Sequence, residues 1–192
     1  IERRTAMNKS ELSLYLVTDR GNLSDQDFLT KIEQAILGGV TCVQLREKEL
    51  SSRAFYELAL QVKAVTDRYH IPFLINDRLD IALAVNASGV HLGQSDLPVA
   101  VARHLLGSDK LIGISAKTVA QALAAQAGGA DYLGVGAMFP TTTKVITQET
   151  TRETLMAITE TVQLPVVAIG GISKANRHQL IGTGIAGIAV VS

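Results

Sequence analysis

The stretch FLINDRLDIALAVNASGVHLGQSD, residues 73–96, decides the fold. It holds two short apolar runs, 73–75 and 89–92, separated by a segment of helical period at 79–85. Each run ends in polar residues: Asn76 and Asp77 after the first, Gln94 and Asp96 after the second. Strands that are apolar almost throughout, without alternation, are buried on both faces, and in a βα alternation that means a parallel sheet covered by helices. Two acids delivered by neighbouring strand ends suggest one shared site.

The same unit recurs on both sides of this stretch. Strands are expected at 14–18, 41–45, 73–75, 89–92, 111–114, 132–135, 166–169 and 187–191, and helices at 25–37, 51–69, 79–85, 98–106, 119–127, 152–161 and 174–181. Gly38 and Gly39, Gly128 and Gly129, and Gly182 fall just past expected helix ends, where a left-handed residue is wanted. Eight such units predict an α/β fold, a closed (β/α)8 TIM barrel spanning 14–192; an open doubly wound sheet is the alternative. Residues 1–13 read as an N-terminal tail or expression remnant. A barrel would leave the outer face of the eighth strand uncovered, so the polymer is expected to continue past Ser192 into a final helix.

Composition narrows the function classes. The 192 residues are 47% hydrophobic and 19% charged, with 18 acids balancing 18 bases. Zero net charge argues against a broad electrostatic footprint for nucleic acid or an anionic membrane. No apolar run reaches the roughly 20 residues that span a bilayer. The single cysteine, Cys42, lies in an apolar run, which excludes a disulfide framework and makes a reducing compartment the default. The expectation is a cytoplasmic protein with neither nucleic acid nor membrane as partner.

In a parallel barrel the chemistry collects at the carboxyl ends of the strands. The second strand offers Gln44, Arg46, Glu47 and Lys48 there, the third Asn76, Asp77 and Arg78, and the fourth Gln94 and Asp96. The fifth gives Ser115 and Lys117, the sixth the run GAMFPTTTK at 136–144, and the seventh Gly170 and Gly171. Asp77 and Asp96 supply hard oxygen donors, and magnesium is commonly held by one or two carboxylates plus substrate phosphates. Each could equally cap the helix that follows it. Arg46, Lys48 and Lys144 are enough cations for a diphosphate, or else solvated surface charges, with Lys48 the more readily surface of the first two. Gly170 and Gly171 precede a helix expected near Ser173, whose N-terminus could bind phosphate; the bland reading is a tight turn. His91 reads as a satisfied buried histidine rather than a catalytic one.

The motifs LYLVTDR, VQLREK, LINDRLDIALA, GVHLGQSD, GISAKT, GADYLGVGAMFPTTTK, PVVAIGGI and GIAVVS, in that order, resemble the thiamine phosphate synthase family over nearly the whole chain. The resemblance implies a (β/α)8 barrel that condenses 4-amino-2-methyl-5-(diphosphooxymethyl)pyrimidine with a (carboxy)thiazole phosphate, giving thiamine phosphate and diphosphate with the help of Mg2+. It also implies roles. Gln44, Leu45, Arg46, Glu47 and Lys48, with Asn76, Ser115 and Lys144, match positions binding the pyrimidine diphosphate. Asp77 and Asp96 match the metal ligands. Thr141, Thr142, Thr143, Gly171, Val191 and Ser192 match positions binding the thiazole phosphate. No covalent nucleophile is implied. The chain departs from the family in the β-branched VITQETT after Lys144, which lacks a glycine, and in Lys117, where histidine or arginine is frequent. A thiazole tautomerase on the same barrel would not need both acids or the full QLREK set, and it uses a histidine near position 117. A non-catalytic thiamine-precursor binding protein is a further alternative.

Overall fold

The computed structural model describes residues 7–142 and 148–191. The strands β1 (Leu14–Val17), β2 (Cys42–Leu45), β3 (Phe73–Asn76), β4 (Gly89–Leu92), β5 (Leu111–Ala116), β6 (Tyr132–Val135), β7 (Val166–Ile169) and β8 (Gly187–Val191) pair in sequence order into a closed barrel. Every pairing is parallel, and closure runs from Leu14 opposite Ile188 to Val17 opposite Val191. The closed barrel settles the choice against the open sheet.

Helices α1 (Asp25–Leu37), α2 (Ser52–Arg68), α3 (Leu79–Ala84), α4 (Val99–Leu106), α5 (Val119–Gly128) and α6 (Arg152–Thr161) link successive strands. α1 shows why they form where they do. Ser24 accepts a hydrogen bond from the Asp27 N–H at its N-terminus, and Phe28, Ile32 and Ile36 recur every four residues on its buried face. Burying side chains of that size stabilises by about 1.5–3 kcal/mol each. Ser51, Thr118 and Thr151 cap α2, α5 and α6 in the same way.

The seventh expected helix, 174–181, is corrected. Only a 3-10 turn, Arg177–Leu180, forms there. The Asn176 side chain accepts from the Ser173 N–H at 2.8 Å and donates to the Gly171 carbonyl at 2.8 Å, so it holds a local turn in place of a first helical turn.

Strand pleating sorts the core into two parts. Val43, Leu45, Ile75, Val90, Ile112 and Leu133 face outward into a shell shared with the helices. Tyr15, Val17, Cys42, Leu74, Leu111, Tyr132, Val167 and Ala189 fill the barrel itself. Met7 and Leu12 join this inner group. They come from a segment in which Asn8 and Glu11 form a reciprocal cap on the 3-10 helix Lys9–Leu12, so residues just before β1 close the barrel's amino-terminal end.

Candidate active site at the barrel mouth

β3 ends at Asn76, and the next residue, Asp77, is held in the left-handed region at φ 60°. Few non-glycine residues adopt that conformation, and such strain persists only where surrounding contacts impose it. Here the Asp77 N–H donates to the His91 carbonyl of β4 at 3.0 Å, and Lys48 Nζ donates to Asp77 Oδ2. Asp96 folds back to accept the Gly93 N–H at 2.7 Å. The carboxyl group of Asp77 faces that of Asp96 closely enough to act on its charge. Burial and the facing Asp77 push the Asp96 carboxyl above its ordinary range, against the opposing effects of the Gly93 N–H and Lys48.

Neither acid caps a helix. The N-cap positions of α3 and α4 are Arg78 and Pro98, and neither makes a side-chain capping bond. Lys48 is exposed, as the surface reading expects, and its ammonium is also paired with Asp77. Two carboxylates forced together are an arrangement that a hard divalent cation relieves. No group of three or more His, Cys, Asp or Glu suited to a metal occurs among the described residues. A cation here would therefore take its other ligands from water and phosphate oxygens, which suits magnesium.

Beneath the acids runs a chain of polar side chains inside the barrel. Asn76 Nδ2 donates to Gln44 Oε1 at 2.9 Å, and Gln44 Nε2 donates to the Tyr15 hydroxyl at 2.8 Å. The Tyr15 and Tyr132 hydroxyls lie 2.7 Å apart. Tyr132 is 2.8 Å from His91 Nδ1, and His91 Nε2 is 2.8 Å from Ser115 Oγ. His91 is thus satisfied on both ring nitrogens. Burial, the largest cause, pushes both tyrosine hydroxyls well above their usual range. Asn76 Oδ1 is buried without a hydrogen-bond partner, which leaves an acceptor for a ligand donor.

The β2 loop is supported from below. The Arg46 N–H donates to Thr18 Oγ1 at 3.1 Å, and Glu47 lies 3.5 Å from Arg20. Burial raises the Glu47 carboxyl against the pull of Arg20. Arg20 also pairs with Asp25 at the start of α1. Arg46 forms no ion pair among the described residues.

The other side of the mouth is built from backbone. The Met138 N–H donates to the Ile169 carbonyl and the Phe139 N–H to the Gly170 carbonyl, so the segment after β6 lies alongside the end of β7. Gly170 and Gly171 are left-handed, at φ 99° and 63°. A Cβ at Gly171 would stand 2.4 Å from the Pro140 carbonyl oxygen. Only glycine fits there. Thr141, half-buried, and Thr142, exposed, follow directly. The expected helix N-terminus for phosphate is absent, since the Ser173 N–H is taken by Asn176. Lys117 Nζ donates to the carbonyls of Gly136 and Gln148, at 2.8 and 3.0 Å, and so joins the two sides of the loop between β6 and α6.

Gln44, Arg46, Glu47, Lys48, Asn76, Asp77, Asp96 and Ser115 are therefore gathered on one side of the mouth. Leu45 is fully buried in the outer shell, facing away from it. Thr141, Thr142 and Gly171 lie together on the other side, and Val191 ends β8. Thr143, Lys144 and Ser192 lie outside the described residues. Sequence reasoning missed Tyr15, Tyr132 and Arg20. A signal for the tyrosines existed in the strand glycines: a Cβ at Gly113 would fall 2.0 Å from the Tyr132 ring, and one at Gly134 would fall 3.1 Å from His91. Glycines inside strands mark such close approaches.

A family model described as thiamine monophosphate synthase matches residues 14–192. The thiamine-phosphate synthase of Enterococcus faecalis is 58% identical, over 96% of this chain and 87% of its own. Thiamine-phosphate synthase 2 of Streptococcus pneumoniae is 56% identical, over 96% of this chain and 88% of its own. Among solved structures, thiamine phosphate pyrophosphorylase from Pyrococcus furiosus superimposes with a TM-score of 0.85 at 41% identity, covering 96% of this chain and 87% of that one. An N-acetylmannosamine-6-phosphate 2-epimerase from Clostridium perfringens, at 13% identity and a TM-score of 0.73, shares the fold alone.

Proposed function

Because this chain belongs to the thiamine monophosphate synthase family, we propose that it joins 4-amino-2-methyl-5-(diphosphooxymethyl)pyrimidine to a (carboxy)thiazole phosphate, forming thiamine phosphate and releasing diphosphate. It is a transferase acting on small molecules. The observation that carries the mechanism is the pair of facing carboxylates, Asp77 and Asp96, with Lys48 on Asp77.

In the proposed reaction the bond between the pyrimidine methylene and the diphosphate oxygen breaks, and that oxygen keeps the electron pair. The thiazole nitrogen then forms the new bond to the methylene. Asp77 and Asp96 would hold Mg2+, which when bound offsets the charge building on the departing diphosphate. Arg46 and Lys48 supply positive charge on that side, and Lys144 is proposed as a further cation for the diphosphate. Gln44, Asn76 and Ser115 place polar groups where the pyrimidine end must lie, and the buried Asn76 Oδ1 supports this reading because it lacks a donor. Glu47 belongs to the same diphosphate-binding segment, and its buried Oε1, 3.5 Å from Arg20, lacks a hydrogen-bond partner. Thr141, Thr142, Thr143, Gly171, Val191 and Ser192 take the thiazole phosphate. Holding the two substrates in line supplies much of the rate in such a reaction, and no protein nucleophile is needed. A cytoplasmic setting belongs to the same proposal, and no helix among the described residues is long and apolar enough to cross a membrane.

The test is diphosphate release by the purified protein with both substrates, with and without magnesium, beside Asp77→Ala. Release that requires both substrates and the metal, and collapses in the variant, supports the reading. Isomerisation of thiazole carboxylate phosphate alone would instead make the protein a tautomerase. Binding of the precursors without turnover would make it a binding protein. Lys117, engaged with two loop carbonyls, speaks against the tautomerase.

A further inference from the structure

The chain from Asn76 to Ser115 has a direction. Gln44 Nε2 can only donate, so the Tyr15 oxygen accepts from it, and the Tyr15 proton is left for the Tyr132 oxygen 2.7 Å away. Tyr132, having accepted that hydrogen bond, turns its own proton toward His91 Nδ1 at 2.8 Å. A neutral imidazole with Nδ1 accepting carries its proton on Nε2, and Nε2 faces Ser115 Oγ at 2.8 Å. Ser115 then accepts from the histidine, and its own proton is directed elsewhere. Ser115 is half-exposed at the carboxyl end of β5.

From this we infer that Tyr15, Tyr132 and His91 are positioning residues: their one-way hydrogen-bond chain fixes His91 as the Nε2–H tautomer and presents the Ser115 hydroxyl to the barrel mouth as a donor to an acceptor atom of the bound pyrimidine diphosphate. Two observations show that this chain is built into the fold. Gly113 and Gly134 leave the room that Tyr132 and His91 occupy, since a Cβ at either would press on those rings. The tyrosines also sit in the barrel's apolar interior, 2% and 1% exposed, where burial keeps their hydroxyls protonated and able to donate. A hydroxyl chain in such surroundings is costly unless each member is satisfied.

The assignment to a substrate atom rests on the proposed function, whereas the direction of the chain does not, and the experiment separates them. Nitrogen NMR of 15N-histidine-labelled protein without substrates reads the His91 tautomer. Nε2–H is expected in the wild type, with a shift toward a mixture in Tyr132→Phe; Nδ1–H in the wild type reverses the chain and overturns the inference. For the kinetic arm, Tyr132→Phe is expected to lower kcat about tenfold with a smaller change in KM, the scale of a lost positioning contact. The same substitution in a Ser115→Ala background is expected to add less than twofold, because both act through one hydroxyl. Full independent effects in the two backgrounds, or unchanged kcat in Tyr132→Phe, overturn the role. Tyr15→Phe, which keeps the Tyr132 hydroxyl beside His91, is the second variant; it is expected to weaken the tautomer bias less than Tyr132→Phe does, and an equal or larger loss overturns the order of the chain. Neither a failure of turnover in the wild type nor a different reaction changes the expected tautomer.

Discussion

The two halves of the barrel mouth are made of different material. From β2 to β5 the site consists of side chains: Lys48 on Asp77, Asp77 against Asp96, and the interior series from Asn76 to Ser115. Around β6 and β7 the described part consists largely of backbone, with Met138 and Phe139 hydrogen-bonded to Ile169 and Gly170, and left-handed glycines at 170 and 171. The first half stabilises charge by placing opposite charges and polar tips, so single substitutions there should change chemistry more than folding. The second half works through the path of the main chain. Substitution there should change folding and chemistry together.

The largest expected effect tests the first half. Asp77→Ala should lower diphosphate release by about 100-fold to 1,000-fold, the scale of losing a preorganised electrostatic contact, while the urea midpoint stays close to wild type. A comparable loss of stability would show that Asp77 is chiefly structural. Removing magnesium with a chelator should reproduce the kinetic loss in the wild type and add little in the variant.

The backbone half breaks differently. Gly171→Ala must place a Cβ 2.4 Å from the Pro140 oxygen at a φ of 63°, and is expected to cost about 1–3 kcal/mol in urea unfolding. It should also raise KM for the thiazole phosphate more than for the pyrimidine diphosphate. Equal changes in the two KM values would remove the division between halves. Gly113→Ala provides the interior control: its Cβ meets the Tyr132 ring at 2.0 Å, so a similar loss of stability is expected, accompanied by a disturbed His91 signal.

The smallest effect concerns Asp96. Its folded-state carboxyl is raised, first by burial and also by Asp77, so the native state holds that proton more tightly than the unfolded chain. The associated stability is present below the ordinary carboxylate range and is lost as pH rises through the raised value. Asp96→Asn, lacking this titration, should show a flatter stability profile across that window and slightly greater stability above it when metal is absent. Thermal melts between pH 3 and 7 check this. A variant with a profile as steep as the wild type's would assign the slope to other carboxyls.

The outer shell was legible because it depends on period. Phe28, Ile32 and Ile36 announce α1 by spacing alone, and Gly38 and Gly39 fall just past its end. The charged part of the site was legible because acids and bases at strand ends have few other reasons to cluster. Helix 174–181 misled because its composition suits a helix, while the Asn176 side chain supplies a competing set of local hydrogen bonds. Capping by Asp77 and Asp96 was a fair local alternative, and only the turn of the chain at φ 60° and the bond to Gly93 removed it.

By itself the sequence determined the eight strands and the first six helices between them, the two acids, the QLREK segment and the family they resemble, since these depend on order, spacing and residue chemistry along one strand of chain. Tertiary structure alone decided that Tyr15, Gln44, Asn76, His91, Ser115 and Tyr132 form one connected series, because its members come from six different strands. Tyr15 and Tyr132 are 117 residues apart in the chain and become hydrogen-bonding neighbours through barrel closure and pleating. A hydrogen bond depends on distance and angle in space, and local periodicity carries neither.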